Sequence, residues 1–253
     1  RTGYSFAGWA TSSLGPVVYA DGASYTMGTA NVTLYAVWNL VGSYTVTFNA
    51  NGGTGSMSAQ TNNSPANLTT NSFTRTGYSF AGWNTVSDGS GTAYADAASY
   101  AFTADATLYA QWTPNNNTIT FNGNGFTAGS TASQILATGA TANLNTNGFS
   151  RAGHTFAGWA TSAAGAVVYA DGASYTMGTT NVTLFAKWTP INYSVTFNGN
   201  GATGGSTASQ SIASGASATL NTNGFTYTGF SFVEWNTASD GSGRSEEHTS
   251  ELQ

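Results

Sequence analysis

The chain contains no cysteine, so neither disulfides nor thiolate metal sites can hold it together. Charge is almost as scarce. Charged residues make up 6% of the 253 positions, against roughly 25% in an ordinary globular domain. With five Lys and Arg in all, no basic patch can form, and nucleic acid is not an expected partner. The net charge of −5 is too small to imply a cationic ligand. There are two histidines, His154 and His248. The second lies in an anomalous terminal decapeptide, so a histidine-based triad or zinc site cannot be assembled. No apolar run approaches the length of a membrane span, which argues against membrane insertion within this stretch.

Aromatic residues and repetition are what the chain has instead. Aromatics are 13% of it, and they fall at regular positions, which sets it apart from a disordered chain of equally low charge. GYSFAGW occurs at residues 3–9 and 77–83, GHTFAGW at 153–159 and GFSFVEW at 229–235. A nearly fixed spacing of roughly 75 residues marks tandem domains. Residues 1–39 are the second half of one unit (repeat 1). Residues 44–113 (repeat 2) and 117–189 (repeat 3) are complete, and 193–243 (repeat 4) are truncated. Units of about 70–76 residues are small for a self-sufficient core, and large rings offset that weakness by burying much apolar area. The chain opens in mid-repeat, which leads us to expect a piece of a longer protein. Residues 244–253, RSEEHTSELQ, interrupt repeat 4 and are what AGATCGGAAGAGCACACGTCTGAACTCCAG, a common short-read sequencing adapter, encodes. We read them as an assembly artefact.

Each unit is expected to be mainly β. TVTFN (45–49), TITFN (118–122) and SVTFN (194–198) alternate with period two, placing Val46 and Phe48 inward and Thr45 and Thr47 outward. The Asn-Gly sequences that follow predict hairpin turns leading to second strands near 57–61, 132–138 and 208–214. A short helical turn is expected near 64–69. In the GYSFAGW motif Tyr78 and Phe80 alternate and Trp83 breaks the phase, so Gly82 predicts a bulge. Each unit closes on a strand, VTLYAVW (32–38), ATLYAQW (106–112) or VTLFAKW (182–188), read as half-buried and antiparallel. Short linkers at 39–43, 113–117 and 189–192 predict beads on a string.

TVTFNANGG, TRTGYSFAGWNT, SDGSGTAYAD and ATLYAQWT, in that order, resemble the Listeria–Bacteroides repeat, also known as the internalin-type B repeat. The resemblance covers residues 1–243. It implies a small β-grasp-like domain, found in tandem on secreted or surface-attached bacterial proteins as a spacer or adhesive module, with no catalytic residues to carry over. Glu234 departs from it where the other copies have glycine, and Tyr227 where they have Arg1, Arg75 or Arg151.

All seven tryptophans fall in the two recurring motifs. Core pillars are the expected role, with glycan-stacking platforms as the alternative. The better glycan candidates are Tyr35, Tyr109 and Phe185, which point the other way. Asp21, Asp96 and Asp171 are single per repeat and read as turn residues, not calcium ligands. His154 replaces a ring with a ring. Glu234 alone cannot supply a glycosidase pair. Asn31 and Asn181 head chance Asn-X-Thr triplets. We therefore expect no enzyme, no catalytic, cofactor or metal site and no cofactor. The expected function is that of an extracellular or cell-surface spacer or stalk with weak multivalent adhesion to a surface protein or glycan. The alternative is a carbohydrate-binding array attached to a secreted enzyme.

Overall fold

The alternation of the opening strand carries directly into three dimensions. The computed structural model describes Arg1 and residues 3–243, and the expected artefact at 244–253 lies outside them. Tyr44–Asn49 forms a strand with Val46 and Phe48 buried and Thr47 and Asn49 exposed. Among the described residues there is no helix, and the regular elements are all strands.

Repeat 2 shows the whole arrangement. Its sheet has five strands in the order Gln60–Asn62, Tyr44–Asn49, Ala106–Pro114, Tyr78–Asn84, Ala93–Tyr94. The closing strand Ala106–Pro114 runs parallel to the opening strand, with Val46 opposite Ala106 and Asn49 opposite Tyr109. It runs antiparallel to the motif strand, with Phe80 opposite Trp112 and Asn84 opposite Tyr109. The purely antiparallel expectation is thus corrected to a mixed pairing. Parallel neighbours need a long crossover, and here nearly the whole repeat separates the two strands.

The predicted bulge is present, as a register shift between Phe80 and Gly82. Gly82 has φ +135°, and a Cβ there would stand 2.7 Å from the Tyr94 carbonyl oxygen. Glycine alone tolerates both constraints. The kink turns Trp83 into the core, where it is 1% exposed.

The Asn-Gly turn also forms, with Asn51 at φ 47° and Gly52 at φ 86°. It does not make a tight hairpin. Thr54 bridges to Thr74, and pairing with the opening strand resumes only at Gln60, opposite Val46. The Asn51 amide explains this, because it donates to the Ser87 carbonyl at 2.7 Å and the Ala110 carbonyl at 2.9 Å. The turn is tied to the closing side of the repeat, not to the residues that follow it. The helical turn expected at 64–69 is replaced by the short strand Ala66–Asn67, paired with Ser99–Tyr100. Gln60 holds that segment extended, its amide donating to the Asn67 carbonyl and its oxygen accepting from the Thr69 N–H, each at 2.8 Å.

The core of repeat 2 is Val46, Phe48, Leu68, Phe73, Trp83, Phe102, Leu108 and Ala110. Trp83 lies 4.8 Å from Phe48, 5.0 Å from Phe80 and 6.1 Å from Phe73, ring centre to ring centre. Tilted and edge-on pairs of this kind add about 0.5–1.5 kcal/mol each beyond their buried area.

The chain divides into two compact units. The first comprises Arg1–Thr118, Ile135–Ala142 and Thr176–Asn181, and the second comprises Ile119–Gln134, Asn143–Tyr175 and the described residues from Val182 to Gly243. Within the first, repeat 1 contributes the ladder Tyr4–Ala10 with Tyr35–Leu40, including the same bulge between Phe6 and Gly8. Within the second, Ile119 to Asn122 pair in parallel with Val182 to Phe185. His154–Ala160 pairs antiparallel to the same closing strand, with its bulge between Phe156 and Gly158. Repeat 4 contributes Asn192–Val195 paired with Gln210–Ala213, and Gly204–Gly205 paired with Phe225–Thr226. The expected linkers are mostly strand. The closing strand runs to Pro114 and the next strand begins at Asn116, so Asn115 alone separates them, as Ile191 does at the following junction.

Candidate functional site

The tryptophans divide by motif. Trp83 and Trp159 are 1% and 0% exposed, the largest of the fully buried side chains in the described residues of repeats 2 and 3. Their indole N–H groups have no hydrogen-bond partner among the described residues, which costs on the order of 1–3 kcal/mol each and is repeated in both complete units. The closing-strand indoles are half-buried and hydrogen-bonded. Trp112 donates to the Ala50 carbonyl and Trp188 to the Gly123 carbonyl, both at 2.9 Å. Each bond fastens the closing strand to the turn after the opening strand. In repeat 1, of which this sequence carries the second half, Trp38 is 37% exposed. The core expectation therefore holds for the complete repeats.

The outward candidates lie on the polar face of the sheet. Tyr109 and Phe185 are half-buried, and Tyr35 is exposed. Tyr109 stands opposite Asn49 and Phe185 opposite Asn122, with Thr47 beside Thr107 and Thr120 beside Thr183 two residues back along the same strands. Gln111 and Lys187 occupy equivalent positions. The Gln111 amide reaches the Tyr109 carbonyl at 3.3 Å, and the Lys187 amine reaches the Ala163 carbonyl at 3.3 Å.

The aspartates serve the turns. Asp96 accepts from the Asn71 N–H at 2.9 Å and its own neighbour Ala97 at 3.1 Å. Asp171 accepts from the Asn147 N–H at 2.7 Å. Each carboxylate so ties its turn to the loop ahead of the motif. Asp88 and Asp240 sit in the SDGSG turns, where the Ser90 and Ser242 hydroxyls and N–H groups hold their carboxyls below the ordinary value. Among the described residues no three His, Asp or Glu side chains gather as a metal site would require. His154 bonds the Ala152 carbonyl through Nδ1 at 2.9 Å. Its counterparts Tyr4 and Tyr78 lie under Arg1 and Arg75, with 4.0 Å from each guanidinium carbon to the ring centre. Asn181 uses its side-chain oxygen to accept from the Thr118 N–H at 2.8 Å. Burial raises the phenols of Tyr100 and Tyr175, with Tyr94 and Tyr169 nearby adding to the effect.

Sequence reasoning missed three buried groups. Phe102 is fully buried at φ 47°. A left-handed aromatic costs about 1–3 kcal/mol, offset by roughly 1.5–3 kcal/mol from burying the ring. Its counterpart Met177 is 2% exposed. Shared position in SYAF and SYTM was the available signal. Asn84 is also buried, its amide donating to the Gly89 and Gly91 carbonyls and its oxygen accepting from Val86 and Gly91 N–H groups. It closes the SDGSG loop. The third is Asn117, considered below.

A tandem array of all-β modules, with its polar side chains engaged in turns and junctions, is the class this geometry defines. A profile of the Listeria-Bacteroides repeat domain matches residues 1–37, 44–111, 118–187 and 193–251, and the chain belongs to that repeat family. Members of the family are typically non-catalytic repeat modules. Two curated proteins of Evansella cellulosilytica are similar. One, provisionally named a Gly-rich membrane protein, is 40% identical over 136 residues, covering 50% of this chain and 16% of that protein. The other, provisionally named a membrane protein, is 29% identical over 252 residues, covering 96% of this chain and 35% of that protein. The chain thus spans about a third or less of the curated relatives it matches. No solved structure matches it. Among the described residues no helix is long and apolar enough to cross a membrane.

Proposed function

We propose that these repeats form a non-catalytic spacer on the outside of a bacterial cell, carrying a distal part of a longer surface protein away from the envelope and adding weak multivalent adhesion. The observation that carries this reading is the junction: strand leads to strand through a single residue, Asn115 or Ile191, so little slack chain separates one module from the next. The scarcity of Lys and Arg suits an exposed stalk, since it offers few sites to trypsin-like proteases. Placement outside the cell draws on the family and on relatives named as membrane proteins. A β-grasp-like reading of the module is supported by the sheet order of repeat 2, with parallel opening and closing strands at its centre.

A spacer is tested by substitution. In a surface protein carrying these repeats, exchange for an unrelated rod of equal length leaves attachment intact if reach is the function. Complete loss of attachment with length preserved removes the spacer reading, whereas a partial loss reports the weak adhesive contribution. The carbohydrate-array alternative is favoured by one observation, the pairing of Tyr109 and Phe185 with asparagine and threonine on the outward sheet face. Specific signal from the chain on a glycan array, abolished by Tyr109→Ala, would establish it in place of the spacer.

A further inference from the structure

The first glycine of the motif recurs as Gly3, Gly77, Gly153 and Gly229, with φ of 78°, 80°, 69° and 82°. The turn alone calls for glycine at such angles. The surroundings add a second constraint that differs between copies. A Cβ on Gly77 of repeat 2 would stand 2.7 Å from the Thr179 methyl and 2.9 Å from the Thr138 methyl, both belonging to repeat 3. A Cβ on Gly153 of repeat 3 would collide with Ser214 of repeat 4. On Gly3 it would meet the Tyr44 hydroxyl of repeat 2 at 3.1 Å, and at Gly229 no described residue stands within 4 Å. Each of these contacts lies inside one compact unit.

The backbone runs the same way. The Asn115 N–H donates to the Gly77 carbonyl at 2.8 Å, and the Asn115 carbonyl accepts from the Thr138 N–H at 2.9 Å. Ile191 repeats the pattern with Gly153 and Ser214, both at 2.8 Å. The one residue between repeats is thus gripped by the motif turn behind it and a loop ahead of it. Ser79 donates to the Asn115 side chain at 2.6 Å. Asn117, 8% exposed, donates to the Thr138 hydroxyl at 3.0 Å and the Gly178 carbonyl at 3.3 Å.

The loop ahead is written in the sequence. Repeats 3 and 4 carry ATGA (137–140) and ASGA (213–216), whereas repeat 2 has the shorter NSP (63–65) between its Gln60 and Leu68 anchors. At the entry to repeat 2 the Val41 N–H still donates to the Gly3 carbonyl at 2.8 Å. Among the described residues, no backbone bond returns from 62–65 to Val41.

We infer that the motif-turn glycine, the single junction residue and the ATGA or ASGA loop of the next repeat form a docking interface whose partner is another copy of the same module. The loop decides how firmly a junction is clasped. The junctions into repeats 3 and 4 are held from both sides, and the one into repeat 2 from one side. This stands apart from the spacer reading, since the coupling belongs to the folded chain whether or not it projects anything.

Hydrogen exchange read by mass spectrometry on the full chain tests it. Gly77→Ala and Gly229→Ala impose the same backbone strain, but only the first meets a neighbouring repeat. We expect Gly77→Ala to speed exchange at Asn115 and at 138–140 by roughly tenfold or more, and Gly229→Ala to leave those amides unchanged. Thr138→Ala deletes the clasp hydroxyl and the methyl beside Gly77 while imposing no strain on the glycine backbone, and should speed exchange at Asn115 by about threefold to tenfold. It keeps the test valid should Gly77→Ala unfold repeat 2. In the parent chain Val41 should exchange faster than Asn115 and Ile191. Protection of Val41 equal to that of Asn115, or an Asn115 rate indifferent to Thr138→Ala, overturns the inference.

Discussion

Repeats 2 and 4 carry the same motif and do different things with it. In repeat 2 the motif is the seven-residue strand Tyr78–Asn84, with Trp83 buried. In repeat 4 residues 229–235 form no strand, and Phe230, Phe232 and Val233 are 70%, 49% and 84% exposed. Two causes act together. Among the described residues repeat 4 has no closing strand to pair with. And Glu234 stands where Gly8, Gly82 and Gly158 adopt φ of 144°, 135° and 137°, a region that costs a residue with a Cβ about 1–3 kcal/mol. Repeat 1 supplies the converse case. This sequence carries its closing strand without its opening half, and its motif is a paired strand while Trp38 lies exposed. The closing strand therefore makes the motif a strand, and the opening half buries what the pair presents.

The strongest way to break this comparison is to complete repeat 4. Replacing residues 244–253 with residues 92–113 and restoring glycine through Glu234→Gly should order 229–235. Exchange there should slow by roughly 10³-fold, an opening free energy of about 4 kcal/mol. The same graft with Glu234 retained should recover less, by about 1–3 kcal/mol. Equal protection in the two grafts would mean that the bulge is not glycine-dependent. Next, Trp83→Ala should destabilise repeat 2 by about 3–5 kcal/mol. Trp235→Ala should cost repeat 4 clearly less, because its ring is only half-buried. Urea denaturation followed by peptide-resolved exchange separates the two, since an array of repeats need not unfold in a single step. A smaller effect is expected of Trp112→Phe, which puts a smaller ring in place of the half-buried indole and removes the bond to Ala50, the lost bond contributing about 0.5–1.5 kcal/mol. Smallest is the pH response of the SDGSG turns shared by both repeats. The carboxyls of Asp88 and Asp240 are held low by their serines. Their contribution is therefore complete above the ordinary aspartate value and is lost as pH falls through the depressed folded value. Side-chain NMR titration should show both midpoints below the ordinary aspartate value, and midpoints at that value would remove the effect.

Much of this was legible beforehand, and the reason is local. The inward Val46 and Phe48, the outward Thr47 and Tyr109, and the bulge at Gly82 follow from period-two alternation and from glycine's tolerance of positive φ. The family followed from motif order. What escaped reading depended on distant partners. Nothing near Asn51 announces that its amide will reach Ser87 and Ala110. Nothing near Phe102 announces that a left-handed backbone will carry its ring into the core. The candidate site divided in the same way. That the indoles serve as pillars could be read from their strand positions, but the engagement of Asp96 and Asp171 with the loop before the motif could not.

The sequence by itself determined the repeat, the face each strand residue presents and the positions reserved for glycine, because each of these is set by a residue and its immediate neighbours. The tertiary structure alone decided that the opening and closing strands lie parallel, that the Asn-Gly turn docks on the closing side and that Asn115 and Ile191 are gripped between successive repeats. Those outcomes depend on closing loops of tens of residues, and only packing of the whole module repays the entropy that such closure costs.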